Sequence, residues 1–88
     1  MILMKTKLIF STKTKDVEQW TELPFVPRIN EWFNVSDLLN ADELMVLAKA
    51  SKGWSSGKGI VQSVEYRHDD NEFYTEVVVG CEDNLFKK

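Results

Sequence analysis

The stretch from Gly59 to Val79, GIVQSVEYRHDDNEFYTEVVV, limits the possible folds of this chain more than any other. Its two arms are rich in β-branched and aromatic residues, and the residues between them, Asp69 to Glu72, favour turns. The pattern predicts two strands, 59–68 and 73–80, folded into a β-hairpin. This hairpin indicates a small β-rich domain, and the stretch contains no motif that points to a chemical activity.

The register of the hairpin can be tested on the sequence, because a slip of one residue moves every side chain to the opposite face of the sheet. A turn centred on Asp70-Asn71 gives one largely apolar face. That face is made of three cross-strand pairs: Val64 with Val77, Tyr66 with Thr75, and His68 with Phe73.

The same register sets Glu65 opposite Glu76, and like charges directly opposite each other destabilise a sheet. We therefore expect one of two remedies. Either Arg67 lies diagonally beside the two carboxylates, or a β-bulge between Gln62 and Val64 moves one of them away.

The N-terminal half reads as three further strands. Residues 1–10 alternate apolar and polar side chains, as a half-buried strand does, and 17–23 resumes after a polar turn as its antiparallel partner. Pro24 and Pro27 then make a stiff extended connector. Asn30 tolerates the left-handed backbone conformation, and a short strand over 31–35 follows it.

The segment after this strand changes period and predicts a helix. Asn40 and Glu43 have the spacing of a capping box, and Leu39 and Leu44 that of a hydrophobic staple. We expect the helix over 41–52, lying across an open barrel end or one face of the sheet.

The composition fits one soluble domain, 1–88, with a polar tail over 81–88. The net charge of −3 argues against a protein dedicated to duplex nucleic acid, whose affinity depends on many Lys and Arg contacts to phosphate. One cysteine, Cys81, suits a reducing cytoplasm and a buried apolar role. Since no run approaches the roughly 20 apolar residues of a membrane helix, we expect a cytoplasmic protein.

These elements predict a mainly β fold: a small, partly open, SH3-like barrel of about five antiparallel strands, with one helix inserted between the third and fourth strands. We expect the core to include nine side chains: Met4, Leu8, Phe10, Phe33, Leu44, Leu47, Val64, Tyr66 and Val77.

The segment LPFVPRINE, residues 23–31, followed by a strand and a hairpin over 61–79, resembles a pattern in small uncharacterised β-barrel proteins of Bacteroides-type bacteria and their mobile elements. Those proteins tend to carry Gly where this chain has Asn30. The segment 36–57 departs from the pattern. The resemblance implies a barrel and implies no activity.

Trp54 is the strongest candidate for a binding residue, since it lies in a Gly/Ser segment and is close in sequence to Lys52 and Lys58. An aromatic ring beside cations is typical of single-strand nucleic-acid binders, and tryptophan anchors are equally typical of protein interfaces. The alternative is that Trp54 folds back onto the helix or plugs the barrel. Trp20 and Trp32 are the other candidates for an aromatic binding surface.

The sequence gives little support for a catalytic, metal-binding or phosphate-binding site. The run from His68 to Glu72 offers metal-ligand types, but consecutive residues on a hairpin tip cannot converge on one ion. Glu65 and Glu76 could form an acid–base pair only within a substrate pocket. Gly57-Lys58 lacks the glycine spacing of a phosphate loop. We expect no enzymatic activity, no metal and no cofactor.

The function that the sequence favours is non-enzymatic binding, as a protein-interaction or assembly module with an unknown protein partner or a second copy of itself. The alternative is single-stranded nucleic-acid binding through Trp54, the nearby lysines and the N-terminal lysines, which are Lys5, Lys7, Lys13 and Lys15.

Overall fold

The computed structural model describes residues 3–50 and 57–81. The described residues form five strands, one α-helix and one 3₁₀ turn. The strands are β1 (Met4–Ser11), β2 (Asp16–Leu23), β3 (Trp32–Asn34), β4 (Lys58–Asp69) and β5 (Glu72–Gly80); the helix is α1 (Ala41–Ala50), and the 3₁₀ turn is Val35–Asp37.

All five strands belong to one sheet, in the order β2-β1-β5-β4-β3. The sheet curls around the core, so the predicted mainly β fold, a small partly open barrel with one helix between the third and fourth strands, is confirmed. The strand directions differ from the expected all-antiparallel arrangement, because β1 and β5 run parallel. A parallel pair needs a long crossover connection, and the chain between β1 and β5 supplies it.

The β4–β5 hairpin has the predicted register. Asp70 and Asn71 form its turn with φ of 50° and 65°, the left-handed conformation that a two-residue hairpin turn requires at both positions. Glu65 lies opposite Glu76, as expected, and the pairing shifts by one residue between Val61 and Ser63. This shift is the bulge predicted around Gln62.

The buried core gathers at the end of the sheet where β1 and β5 finish. Its fully buried side chains include Leu8 and Phe10 of β1, Val77 and Val79 of β5, and Leu47 of α1. Cys81 is also buried, as the sequence predicted for its side chain. The helix therefore packs against this end of the sheet, through Leu47 and the partly buried Leu44.

The start of α1 is fixed by the predicted capping box. Glu43 N–H donates to Asn40 Oδ1 at 2.9 Å, and Asn40 N–H donates back to Glu43 Oε1 at 3.2 Å. Leu39 is buried and Leu44 packs against the core, so the expected staple residues both lie against apolar neighbours. The predicted last turn of the helix, beyond Ala50, lies outside the described residues.

Two close approaches hold β4 against the rest of the core. Val35 N–H donates to Gly57 O at 2.7 Å, next to the β3–β4 pairing. Val35 itself begins the 3₁₀ turn, whose bond runs from Leu38 N–H to Val35 O, so the predicted strand over 31–35 is wrong at Val35. Gly59 is buried, and a Cβ at that position would overlap Val79 and crowd Val35. Glycine is thus the residue that lets β4 reach the core.

The predicted core is correct for Leu8, Phe10, Leu47 and Val77, while Tyr66 is wrong, because its side chain is 76% exposed. The hairpin register is right, but Tyr66 lies towards the turn, beyond the buried residues Val61, Val77 and Val79. Three other predicted members, Phe33, Leu44 and Val64, are partly buried and pack against the core. Met4 is half-buried.

Candidate functional site

The half of the hairpin next to the turn carries a bare apolar surface. Tyr66 and Phe73 lie on the face that continues inward to buried Thr75 and Val77, yet they are 76% and 79% exposed. His68 stacks on Phe73 with ring centroids 4.3 Å apart. Aromatic side chains on the core-facing side of a sheet are ordinarily covered, so this exposure needs an explanation.

A shallow groove lies on one side of Tyr66. It has a volume of about 620 Å³ and is lined by residues 25–29 together with Val64 and Tyr66. Phe25 and Ile29, which line this groove, are each about half exposed to solvent. Asn30 has a φ of 76°, the left-handed conformation expected from the sequence, and follows directly after the connector residues that line the groove.

A second depression lies on the other side of Tyr66. It has a volume of about 430 Å³, and its lining includes Leu3, Met4 and Phe73. Tyr66 borders both depressions, so it stands at the centre of one continuous apolar surface. We call this surface, made of Leu3, Phe25, Ile29, Tyr66 and Phe73, the hairpin face.

The outer edge of β4 runs beside the hairpin face. At Val61 the edge is satisfied, because Val61 N–H donates to Glu31 O at 2.7 Å and Asn30 N–H donates to Val61 O at 2.9 Å. Within residues 3–50 and 57–81, no strand pairs with this edge from Ser63 to Asp69. An unpaired edge presents backbone donors and acceptors that another strand can bind.

The opposite face of the hairpin is charged. Arg67 Nη1 lies 3.4 Å from Glu65 Oε2, and Arg67 Nε lies 3.9 Å from Glu76 Oε2. The hydrogen bond to Glu65 is the largest cause of a raised Arg67 pKa, followed by Tyr74 and the charge of Glu76. The remedy that the structure uses is therefore the diagonal arginine, because the bulge near Gln62 leaves Glu65 opposite Glu76.

Trp20 lies on this charged face, on the edge strand β2. Its ring meets the ring of Tyr74 edge-on at 5.0 Å between centroids. Lys5 Nζ stands 5.0 Å from the Trp20 ring centroid and Lys7 Nζ 5.8 Å. Both lysines also make ion pairs, Lys5 with Glu72 and Lys7 with Glu18.

Trp32 lies on β3, at the other edge of the sheet from Trp20. Lys58 Nζ stands 4.6 Å from the Trp32 ring centroid, so two of the residues predicted to act together do meet. Three strands separate Trp20 from Trp32 within the sheet. Trp54 and Lys52, the other predicted binding residues, lie outside the described residues.

The residues that could have formed an acid–base pair or a metal site do not form one in the described part of the chain. Glu65 and Glu76 face each other and share Arg67, and neither lines the two depressions beside Tyr66. In the described part of the chain, no three His, Cys, Asp or Glu side chains come together in a way that could hold a metal ion. The same part contains no helix with the length and apolar content needed to cross a membrane.

Sequence reasoning missed the hairpin face as a surface. It placed Tyr66 in the core, assigned Phe73 only to the apolar face of the hairpin opposite His68, and left Phe25 and Ile29 without a role. The available signal was the length of the hairpin: its arms are much longer than the ten residues of α1 can cover, since a helix rises about 1.5 Å per residue and a strand about 3.3 Å.

We compared the chain with protein-family models, with curated proteins and with solved structures, and none of the three comparisons found a match.

Proposed function

We propose that this protein is a non-enzymatic binding module that docks a polypeptide on its hairpin face. The observation that carries the proposal is the exposure of Tyr66 and Phe73 on the core-facing side of the sheet. Exposed apolar patches bordered by polar residues are typical of interaction sites. The module works by presenting this surface, without a catalytic step.

The shape of the surface supports a polypeptide as the ligand. Tyr66 stands between two shallow depressions, and tyrosine is enriched among the residues that dominate binding energy at interfaces. The depressions are open, whereas small molecules are usually bound in enclosed cavities. The adjoining edge of β4, from Ser63 to Asp69, adds backbone groups that an extended segment can use.

Photo-crosslinking inside cells tests the proposal. A benzophenone amino acid replaces Phe73 in one variant and Met45, which is exposed on α1, in a matched control. We expect a crosslinked polypeptide from position 73, lost when Tyr66→Thr is added, and none from position 45. Equal yields from both positions, or no product from position 73, would contradict the proposal.

The alternative is single-stranded nucleic-acid binding through Trp54, Lys52 and Lys58. The pairing of Lys58 with the Trp32 ring gives it some support, because cations beside aromatic rings suit stacked bases. Against it, Lys5 and Lys7 already pair with glutamates. Titration with a labelled oligonucleotide at two salt concentrations decides: tight binding that weakens steeply with salt supports the alternative.

We propose two further properties on the same basis. The SH3-like class rests on the small size of the barrel and its open end, with the parallel β1–β5 pair as its departure from an all-antiparallel barrel. A cytoplasmic location rests on the single buried cysteine, which suits reducing conditions.

A further inference from the structure

We propose that the polypeptide docked on the hairpin face is a second copy of this chain, paired antiparallel along the outer edge of β4 with Tyr66 at the two-fold axis. This inference deepens the proposed function and rests on it. It follows from the hydrogen-bonding pattern of the hairpin, from the charges along β4 and from the groove beside them.

The turn fixes which backbone groups face outward. In a hairpin with a two-residue turn, the residues flanking the turn, Asp69 and Glu72, form a hydrogen-bonded pair. Alternate residues of β4 therefore direct N–H and C=O away from β5, and these are His68, Tyr66 and Val64. Beyond the bulge, the N–H and C=O groups of Val61 also point away from β5, since they bind Glu31 and Asn30.

Antiparallel pairing of two identical edges must set outward residues opposite outward residues. Centred on Tyr66, it places Tyr66 against Tyr66 of the second copy and Val64 against His68 of the second copy. Each of the three outward residues then exchanges two backbone hydrogen bonds with its counterpart.

The charges select this register. Centring on Tyr66 sets Glu65 opposite Arg67 of the second copy, and symmetry repeats the attraction on the other side of the axis. Centring on Glu65 would set Glu65 against itself, and centring on Arg67 would set Arg67 against itself. Like charges directly opposite on a sheet are destabilising, so both neighbouring registers are disfavoured.

In this register the turn of the second copy lies near the groove beside Val64. In the register centred on Tyr66, Asp69 of the second copy lies opposite Ser63, next to the groove that Arg28 helps to line. The exposed ring of Tyr66 meets its own counterpart, an aromatic cross-strand pair.

Charge-reversal variants of the full chain test the proposed pairing of the two copies. Mass is measured by analytical ultracentrifugation from micromolar to millimolar concentration, and circular dichroism checks folding. We expect the wild-type mass to rise from 10.2 kDa towards twice that value. Arg67→Glu and Glu65→Arg, each alone, should weaken association about tenfold or more, because two attractions become two repulsions.

Mixing the two single variants restores complementarity, since the acidic edge of one faces the basic edge of the other. The mixture should therefore associate as strongly as the wild type. Lys13→Glu is the control, an exposed charge reversal in the β1–β2 loop at the opposite end of the sheet from the hairpin turn. Should a single variant fail to fold, the double exchange Glu65→Arg with Arg67→Glu, which keeps the edge self-complementary, is expected to dimerise.

Several results would overturn the pairing: a wild-type monomer at all concentrations, single variants that associate like the wild type, or a folded double exchange that stays monomeric. A wild-type monomer that still crosslinks from position 73 to another protein would leave the proposed function standing and refute self-pairing. A monomer whose Val64, Tyr66 and His68 amides resist hydrogen exchange would assign the edge to another segment of the same chain.

Discussion

Glu65 lies directly opposite Glu76 across the β4–β5 ladder, and both carboxylates contact Arg67. A sheet that sets two like charges face to face needs a cation beside them. Arg67 supplies that cation from two residues along its own strand. The turn and the apolar pattern of the two arms set the hairpin register, and Arg67 offsets the repulsion that this register creates between the two glutamates.

Removing the cation should therefore weaken the fold. We expect Arg67→Leu to lower the urea midpoint of unfolding, and to lower it less at high salt, because ions screen the repulsion between the two glutamates. Adding Glu76→Gln removes the repulsion and should recover most of the loss. Equal losses at both salt concentrations, with no recovery in the double variant, would show that Arg67 acts through packing alone.

The turn gives a second prediction. Asn71 has a φ of 65°, where glycine has no steric penalty and a β-branched residue has a large one. Asn71→Gly should keep or raise the free energy of unfolding, by up to about 1 kcal/mol. Asn71→Val should lower it by about 1–2 kcal/mol. If chemical denaturation finds the two variants equally stable, the left-handed turn is not formed as described.

The helix start gives a third. Asn40→Ala removes the side-chain acceptor for Glu43 N–H and should cost about 1 kcal/mol of unfolding free energy. Glu43→Gln keeps an oxygen for Asn40 N–H, so it should change stability by no more than about 0.5 kcal/mol. Thermal unfolding measures both; an Asn40→Ala variant as stable as Glu43→Gln would contradict the capping box.

The hairpin face gives a fourth. Phe73→Thr replaces an exposed ring and should cost less than about 1 kcal/mol of unfolding free energy. Val77→Thr, on the same strand and face, places a hydroxyl in the buried core and should cost about 1–3 kcal/mol. A Phe73 variant as damaging as the Val77 variant would mean that Phe73 belongs to the core.

Local signals in the sequence predicted the elements well. The turn at Asp70-Asn71, the bulge near Gln62 and the reciprocal bonds of Asn40 and Glu43 each depend on residues close in the chain. Their geometry follows from preferences that operate over a few residues. The same is true of Asn30, whose left-handed backbone conformation was expected.

Long-range relations were not predictable in the same way. The parallel pairing of β1 with β5 joins opposite ends of the chain, and no local pattern specifies its direction. The exposure of Tyr66 depends on where α1 stops covering the sheet, which is a property of the assembled fold. Trp20 and Trp32 were grouped by residue type, whereas the strand order places them at opposite edges.

We propose that a polypeptide covers the hairpin face when the protein works. Hydroxyl-radical footprinting, comparing dilute purified protein with the protein inside cells, measures this directly at Tyr66 and Phe73, with exposed Met45 as the internal reference. We predict that Tyr66 and Phe73 lose reactivity in cells relative to Met45. Unchanged reactivity of both rings in cells would contradict the account.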